Sequence, residues 1–477
     1  MKHIHQTLIG LFLLIAAFSH AIGAPAGMYY TIETIPDPDT PLLLEVGGLN
    51  FSPSGTLFVG TRRGEVWTWK DKHWKKFAEG LAECLGTLPI SDTEVLVTQR
   101  GEITRLIDSD HDGVADRYEM ISQDFGYTGN YHEFNFGLVK DNAGNLYGTL
   151  NLAHTGHDPW GSTFMGADVK NRGTAYKISP DGAFSTYAWG LRSPNGITLS
   201  PSGDLFCVDS QGEYVATDCL QHLLPGHFYG HPASLSFKPD FTGSPKTTTI
   251  TDLAKMRTVP VVWFPYKRVG QSVTEPRFDT TAGKFGPFAG QIFCGDTVAP
   301  IVTRVFLEKV AGEYQGACFP FFKDPIIEGA NRFAFGPDGA LYMGLTNRGW
   351  AGGTYGIRRI TWTGKMPLEI QKIELQHDGF LLTFTKPVSA AAADPATYQI
   401  LHYRYEYHHD YGSDELDKTP VKVTRAEISS DRMTAHLVLP EMTPGRVYQI
   451  EIPKLAAEDG TGLRTTIAWY TLNRLKE

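Results

Sequence analysis

The sequence has few cysteines, and none of the cysteine spacings that carry cofactors. Cys84, Cys207, Cys219, Cys294 and Cys318 are the whole complement in 477 residues. None stands in a C-x-x-C or C-x-x-C-H motif, so covalent c-type haem and a zinc ribbon are both disfavoured. The count is odd, so in an export compartment at most two disulfides form and one thiol is left over. A basic run is missing as well. Lys+Arg 43 against Asp+Glu 52 gives a formal net charge of -9, and a nucleic-acid surface, which needs concentrated Lys and Arg, is excluded. Long helical patterns are absent, and past residue 26 no segment is apolar enough to span a bilayer.

What is present begins with an export signal. Lys2 and His3 precede an apolar run from Leu8 to Phe18, "LIGLFLLIAAF", which gives way to small residues from Ser19 to Ala26. That is the order of a secretory signal peptide, and the run is too short to be a comfortable membrane anchor. Residues 1–26 are therefore read as a signal peptide, and the mature chain as exported, periplasmic or extracellular. With 42% hydrophobic and 20% charged residues, the chain has the composition of a globular protein able to bury one large core or two.

A repeat organises the rest. "FSPSGTLFVGT" (51–61), "VKDNAGNLYGTLN" (139–151), "LSPSGDLFCVD" (199–209) and "FGPDGALYMGLT" (335–346) share an apolar run, a polar turn closed by Gly, and alternating apolar residues. The turn Gly supplies positive φ and the alternation has the period of a strand, so each copy reads as a hairpin. Weaker copies lie at 88–101 and 286–296. Gly55, Asp92, Gly144, Gly203, Gly290 and Gly339 mark six units, mostly spaced at roughly 40 to 60 residues, the spacing of propeller blades. Residues 27–364 are expected to form a six-bladed β-propeller, with seven blades left open if the stretch 215–257 hides strands. From Met366 the glycine turns stop and period-two segments continue, which predicts a C-terminal β-sandwich over 365–477 and an all-β chain. Its segment "YRYEYHHDYGSDELD" is expected to be an edge strand and loop, with a sugar or a partner as the alternative reading.

Offsets from the turns select candidate site residues. Arg192 lies 11 residues before Gly203, His132 lies 12 before Gly144 and Glu45 lies 10 before Gly55; Asn195 and Asn331 each lie 8 before their glycines. Equivalent offsets in stacked blades place these side chains around one channel mouth, where propellers assemble ligand sites. One further motif is chemical in itself. In "DSDHDGVADRYE", Asp108, Asp110, Asp112, Asp116 and Glu119 occupy positions 1, 3, 5, 9 and 12 of a Ca²⁺ loop, with Gly113 at 6 and the Val114 carbonyl at 7. Crowded carboxylates repel one another unless a cation sits among them, so Ca²⁺ is expected, bracing a blade hairpin.

The stretch from His132 to Asn151, followed by "LRSPNG", resembles the soluble PQQ-dependent glucose/sorbosone dehydrogenases. A group of exported bacterial PQQ-dependent sugar dehydrogenase-like propellers is similar along nearly the whole mature chain, through "DSQGEY", "PGHFYGHP", "GPFAGQIFCGD", "NRFAFGPDGALYMGLTNRGW" and "WTGKMPLEI". The resemblance implies a dehydrogenase oxidising a sugar or sugar-derived alcohol. His132 would be the general base, and Arg192 would neutralise charge on the PQQ-type cofactor. Asn195, Asn331 and Arg332 would bind that cofactor, and electrons would pass to a c-type cytochrome or another separate acceptor. The sequence departs from the family at Ser193, where the family has Asn, in the single Arg332 of the last blade, and in the quinone-pairing lysine, for which Lys267 and Lys284 are candidates. Two other classes use the same scaffold: a metal-dependent lactonase or esterase built on Glu45, Asn195 and Asn331, and a non-catalytic propeller that binds carbohydrate or a cytochrome.

Overall fold

A computed structural model describes residues 26–154, 165–347 and 353–476. The expected signal peptide, all but its last residue, lies outside them. No helix among the described residues is long and apolar enough to cross a membrane.

Each glycine-turn repeat opens one antiparallel sheet. Sheet I runs Val46–Phe51, Leu57–Thr61, Val66–Lys70, His73–Ala78, and sheet II runs Gly86–Pro89, Glu94–Thr98, Ile103–Ile107, Arg117–Ser122. Sheet III is Asn135–Lys140, Leu146–Leu150, Thr174–Ile178, Phe184–Trp189, and sheet IV is Ile197–Leu199, Leu205–Asp209, Cys219–Leu223, Val262–Trp263. Sheet V begins Val273–Phe278, Ile292–Asp296, Ile301–Val310, Glu313–Lys323. Sheet VI joins Ala330–Phe335, Leu341–Leu345 and Gly356–Trp362 to the N-terminal strand Tyr30–Ile35. The turn glycines fall between the first and second strands: Gly55, Gly144, Gly203, Gly290 and Gly339 have φ from 79° to 91°, a conformation that costs other residues a Cβ clash. Within 215–257 the chain adds one strand to sheet IV and then two short helices, Pro232–Phe237 and Ile250–Met256, with no further sheet.

The first strands pack in a closed series, I on II, II on III, and so on through VI, which packs back on I. The second strands show why. Phe58 joins a core shared with Val95 and Val97 of sheet II, while its neighbours Leu57 and Val59 join one shared with Ala334 and Tyr342 of sheet VI. Leu205 and Cys207 likewise face sheet III, and Phe206 and Val208 face sheet V. A strand alternates its side chains between two faces, so an apolar strand with a sheet on either side is buried throughout. At about 1.5–3 kcal/mol for each fully buried Val, Leu or Phe, these intersheet cores are the main source of stability. All five cysteines are buried and free, so neither of the two disulfides allowed by the count forms.

Beyond residue 365 a sheet of Ile370–Gln376, Gly379–Phe384, Thr434–Val438 and Arg425–Ile428 faces a second one across an apolar core that includes Ile373, Phe380, Leu437, Ile450 and Tyr470. That second sheet continues sheet V. Gly316, Ala317 and Cys318 pair with Thr471, Tyr470 and Trp469, and the ladder runs on through Arg446–Glu451, Gln399–Arg404 and Leu416–Val421. The C-terminal part is thus hydrogen-bonded edge to edge with the ring. The segment 403–417 closes the strand Gln399–Arg404, runs on as a loop and opens Leu416–Val421, the edge strand of this sheet.

Candidate functional site

His132 and Arg192 line one cavity of about 340 Å³. Its walls come from the starts of first strands and the ends of second strands in sheets III, IV and V: His132, Arg192 and Ser272 on one side of the hairpins, His154, Gln211 and Val298 on the other. Two larger grooves, of about 660 and 450 Å³, lie elsewhere, and among the described residues neither is lined by a histidine or an arginine.

A single residue holds the pair together. The Leu152 carbonyl lies 2.9 Å from His132 Nδ1, and the Leu152 N–H donates to the Arg192 carbonyl at 3.1 Å. A carbonyl only accepts, so Nδ1 carries a proton, and Nε2 is the ring atom through which a neutral His132 would accept a hydrogen bond. Arg192 Nε donates to Glu213 at 2.7 Å, with 6% and 1% of the two side chains exposed. Its guanidinium also lies 5.3 Å from the ring of Tyr411. Beneath it Asp209 accepts the N–H groups of Arg192 (2.9 Å) and Ser193 (2.7 Å). Burial pushes the Asp209 carboxyl up to about 6. Asp218, which accepts the Gln211 N–H at 2.7 Å, is pushed up to about 8 by burial and then by the charge of Asp296. Asp296, itself raised by burial, accepts the N–H groups of Gln271 and Ser272.

Three expected cofactor residues stand elsewhere. Asn195, Asn331 and Arg332 form one network in which Arg332 donates to Asn195 Oδ1 (2.9 Å), to Asn331 Oδ1 (3.1 Å) and to the carbonyls of Gly47, Leu85 and Asn331. Asn195 bonds Asn331 at 3.3 Å, and Asn331 donates to the Val46 carbonyl. Arg332 is sealed, and its donors are spent on tying sheets I, II, IV and VI together; none of the three lines the cavity. The three residues expected to bind a cofactor are thus set apart from His132 and Arg192. An offset of 8 instead of 11 stands three residues further along the chain toward the turn, past the mouth that Arg192 borders. Glu45 pairs with Arg62 (3.4 Å) and Arg63 (2.7 Å), and with Asn195 and Asn331 bonded to each other, the metal set of the lactonase reading is not assembled. Lys284 lies against the Gly339 turn at the other end of the hairpins, and Lys267 lies over the ring of Tyr266 at 5.2 Å.

The acidic loop is gathered in part. Carboxylate oxygens of Asp108, Asp110 and Asp112 lie within 4.8 Å of one another, turned inward by positive φ at His111 (62°) and Gly113 (84°). Asp108 accepts the N–H groups of Asp112 and Gly113 at 3.1 and 2.8 Å. Val114 donates its N–H to Asp112. Asp116 instead accepts the N–H and hydroxyl of Ser109, and Glu119 pairs with Arg117 and Arg105. The expected ligands Asp116 and Glu119 are thus outside the cluster. The chain passes straight into the strand Arg117–Ser122, whose register sets Glu119 opposite Arg105.

Sequence reasoning missed His154, Tyr131 and Tyr411 at the cavity. The rings of His132 and His154 lie 5.9 and 5.7 Å from that of Tyr131; "YH" at 131–132 was the available signal. Tyr411 lies in the aromatic segment 403–417, for which a sugar was the alternative reading, and nothing in the sequence places that segment beside sheet IV.

A closed series of antiparallel sheets, each packed on the next, is the arrangement of a β-propeller. The chain belongs to the family described as Domain of unknown function (DUF7133), which it matches over residues 71–348. Among solved structures it is similar to a glucose dehydrogenase, at 19% identity and a TM-score of 0.50 over 70% of this chain and 100% of that one. It is also similar to the soluble aldose sugar dehydrogenase of Escherichia coli in its apo form, at 16% identity and a TM-score of 0.50 over 70% and 99%. Likeness at these identities speaks for the fold. No curated protein matches the chain.

Proposed function

We propose that the cavity is a carbohydrate site in which His132 takes the proton of a bound hydroxyl of a neutral sugar or sugar-derived alcohol, the proton half of alcohol oxidation. The observation that carries this reading is the joint placement of His132 and Arg192 on Leu152, with the Nε2 of His132 as the acceptor nitrogen. Tyrosine rings and the amides of Gln211 and Gln271 complete a lining of flat apolar faces and hydrogen-bonding groups, which is what a polyol ring needs. The bound hydroxyl donates to Nε2, and the ordinary pKa of an imidazole suits it to taking that proton and releasing it again.

PQQ, the acceptor implied by the resemblance, carries three carboxylates. Among the described lining residues the one guanidinium is already matched by Glu213, Asp209 accepts the backbone N–H of the same arginine, and the second arginine expected here, Arg332, is sealed away. The residues present do not fit that charge, and no step is routed through it. The lactonase reading loses its ligands to the pairings of Glu45, Asn195 and Asn331.

The wider reading has three further parts. The six sheets are the six blades of a propeller over 27–364, and the two facing C-terminal sheets are a β-sandwich over 365–477. Export through residues 1–26 puts the protein in the periplasm or outside the cell. The carboxylates of Asp108, Asp110 and Asp112 fit a hard cation, Ca²⁺, which would brace the second blade. The test of function is binding of D-glucose, D-galactose, D-xylose and sorbitol by saturation-transfer NMR. Wild type is expected to bind at least one of them without added PQQ, and His132→Ala and Arg192→Ala to bind none. A PQQ complex of one quinone per chain, seen by its absorbance, would contradict the charge argument.

A further inference from the structure

We propose that the C-terminal part completes this site through Tyr411, whose ring is a platform for the apolar face of the sugar; the inference rests on the carbohydrate reading above. The segment 405–415 leaves its sheet and lies along sheet IV. Its backbone is pinned there by three hydrogen bonds, Tyr214 N–H to the His408 carbonyl (3.2 Å), Gly412 N–H to Gly212 (3.1 Å) and Ser413 N–H to Ala216 (2.7 Å). The Tyr407 hydroxyl adds a bond to the Gly230 carbonyl at 2.6 Å, and Arg257 stacks on the Tyr407 ring at 4.4 Å. Tyr411 pairs its backbone with Glu213, the residue that holds Arg192.

These restraints fix the backbone on both sides of Tyr411, yet its side chain is not packed away. The residue is 60% exposed, lines the cavity with His132 and Arg192, and sits 5.3 Å from the Arg192 guanidinium. A large aromatic ring held in place but left open to a polar cavity has already met the ordering cost of binding. The polarised C–H groups of a sugar ring are attracted to its π face in the way a cation is, though more weakly. The edge-to-edge joint of Gly316–Cys318 with Trp469–Thr471 gives this arrangement its register, because it fixes where the C-terminal sheets stand against sheet IV.

The test compares Tyr411→Ala, Tyr411→Leu and Tyr411→Phe with wild type and His132→Ala, using the same four sugars, and records thermal melting for each. Tyr411→Phe should bind within about twofold of wild type, and Tyr411→Ala and Tyr411→Leu at least about tenfold more weakly, with melting unchanged because the ring is exposed. The leucine variant keeps bulk beside Arg192, so a loss common to both reports the ring and not a void. Wild-type-like binding by Tyr411→Leu, with binding lost in His132→Ala, overturns the platform and leaves the cavity standing. If wild type binds none of the four, or His132→Ala binds as wild type does, the carbohydrate reading and this inference fall together.

Discussion

The Nε of Arg192 lies 2.7 Å from a Glu213 oxygen with both side chains almost wholly out of water, so the pair brings almost no net charge to the cavity it borders. Removing one member of a buried pair costs about 3–5 kcal/mol because the other charge is left uncompensated. Glu213→Gln keeps one hydrogen bond and removes the negative charge, so its cost should fall at or below the lower end of that range, read by urea denaturation. The same variant should bind D-glucuronate, an anion that wild type rejects in favour of D-glucose; equal preference in the two proteins would show that Glu213 does not set ligand charge. At this scale the offsets from turn glycines were informative only where the offset reached the strand start. For His132 and Arg192 the offset does reach it, and both line one cavity. Asn195, Asn331 and Arg332 lie apart from that cavity, because a count along the chain gives depth only when the slope of each strand is known.

The loop 108–119 makes the corresponding point for an element. Its spacing names a Ca²⁺ loop, but the last positions depend on the element that the loop leads into, and here a strand takes Glu119 to Arg105. With three carboxylates gathered, Ca²⁺ should bind weakly and stabilise the second sheet. Millimolar Ca²⁺ should raise the melting temperature by a few degrees and chelation should reverse it, while Asp110→Asn should melt alike in both conditions. An identical shift in Asp110→Asn would place any bound Ca²⁺ elsewhere. Hairpins were the most legible elements, since each turn needs a residue at positive φ and the sequence supplies glycine. The segment 405–415 was the least legible. Its composition is that of a polar loop, and what pins it is backbone hydrogen bonding to sheet IV, which leaves no trace in residue type.

For the whole molecule, the order of the sheets could be read because consecutive repeats stack on one another, whereas the joint between sheet V and the C-terminal sheets could not. Trp469–Thr471 pairs with Gly316–Cys318 across a long sequence separation, and any apolar edge strand could have served. Stability of the whole should depend on pH through the buried carboxyls. Asp209 and Asp218 are raised from the ordinary 3.8 to about 6 and about 8. A raised carboxyl binds more protons folded than unfolded, so its contribution is complete below 3.8 and is lost as pH rises through the folded value. Asp92, held down by Ser52, Ser54 and Lys70 against the effect of burial, has the opposite sign and loses its contribution in acid. Melting temperature should therefore be highest at about pH 4 to 5 and fall toward pH 8. Asp218→Asn, which still accepts the Gln211 N–H, should melt higher than wild type at pH 8 and show a flatter profile from pH 6 upward. A profile as steep as that of wild type would assign the loss to other groups.

The central claim concerns one ring nitrogen, so the most direct measurement is the ¹⁵N spectrum of the histidines, with His132 assigned by the signal that disappears in His132→Ala. The expected result is a ring protonated at Nδ1, as the bond to Leu152 requires, and an Nε2 resonance that moves as D-glucose, D-galactose, D-xylose or sorbitol is titrated in. An Nε2-protonated ring, or an Nε2 resonance unmoved by all four sugars, would contradict it.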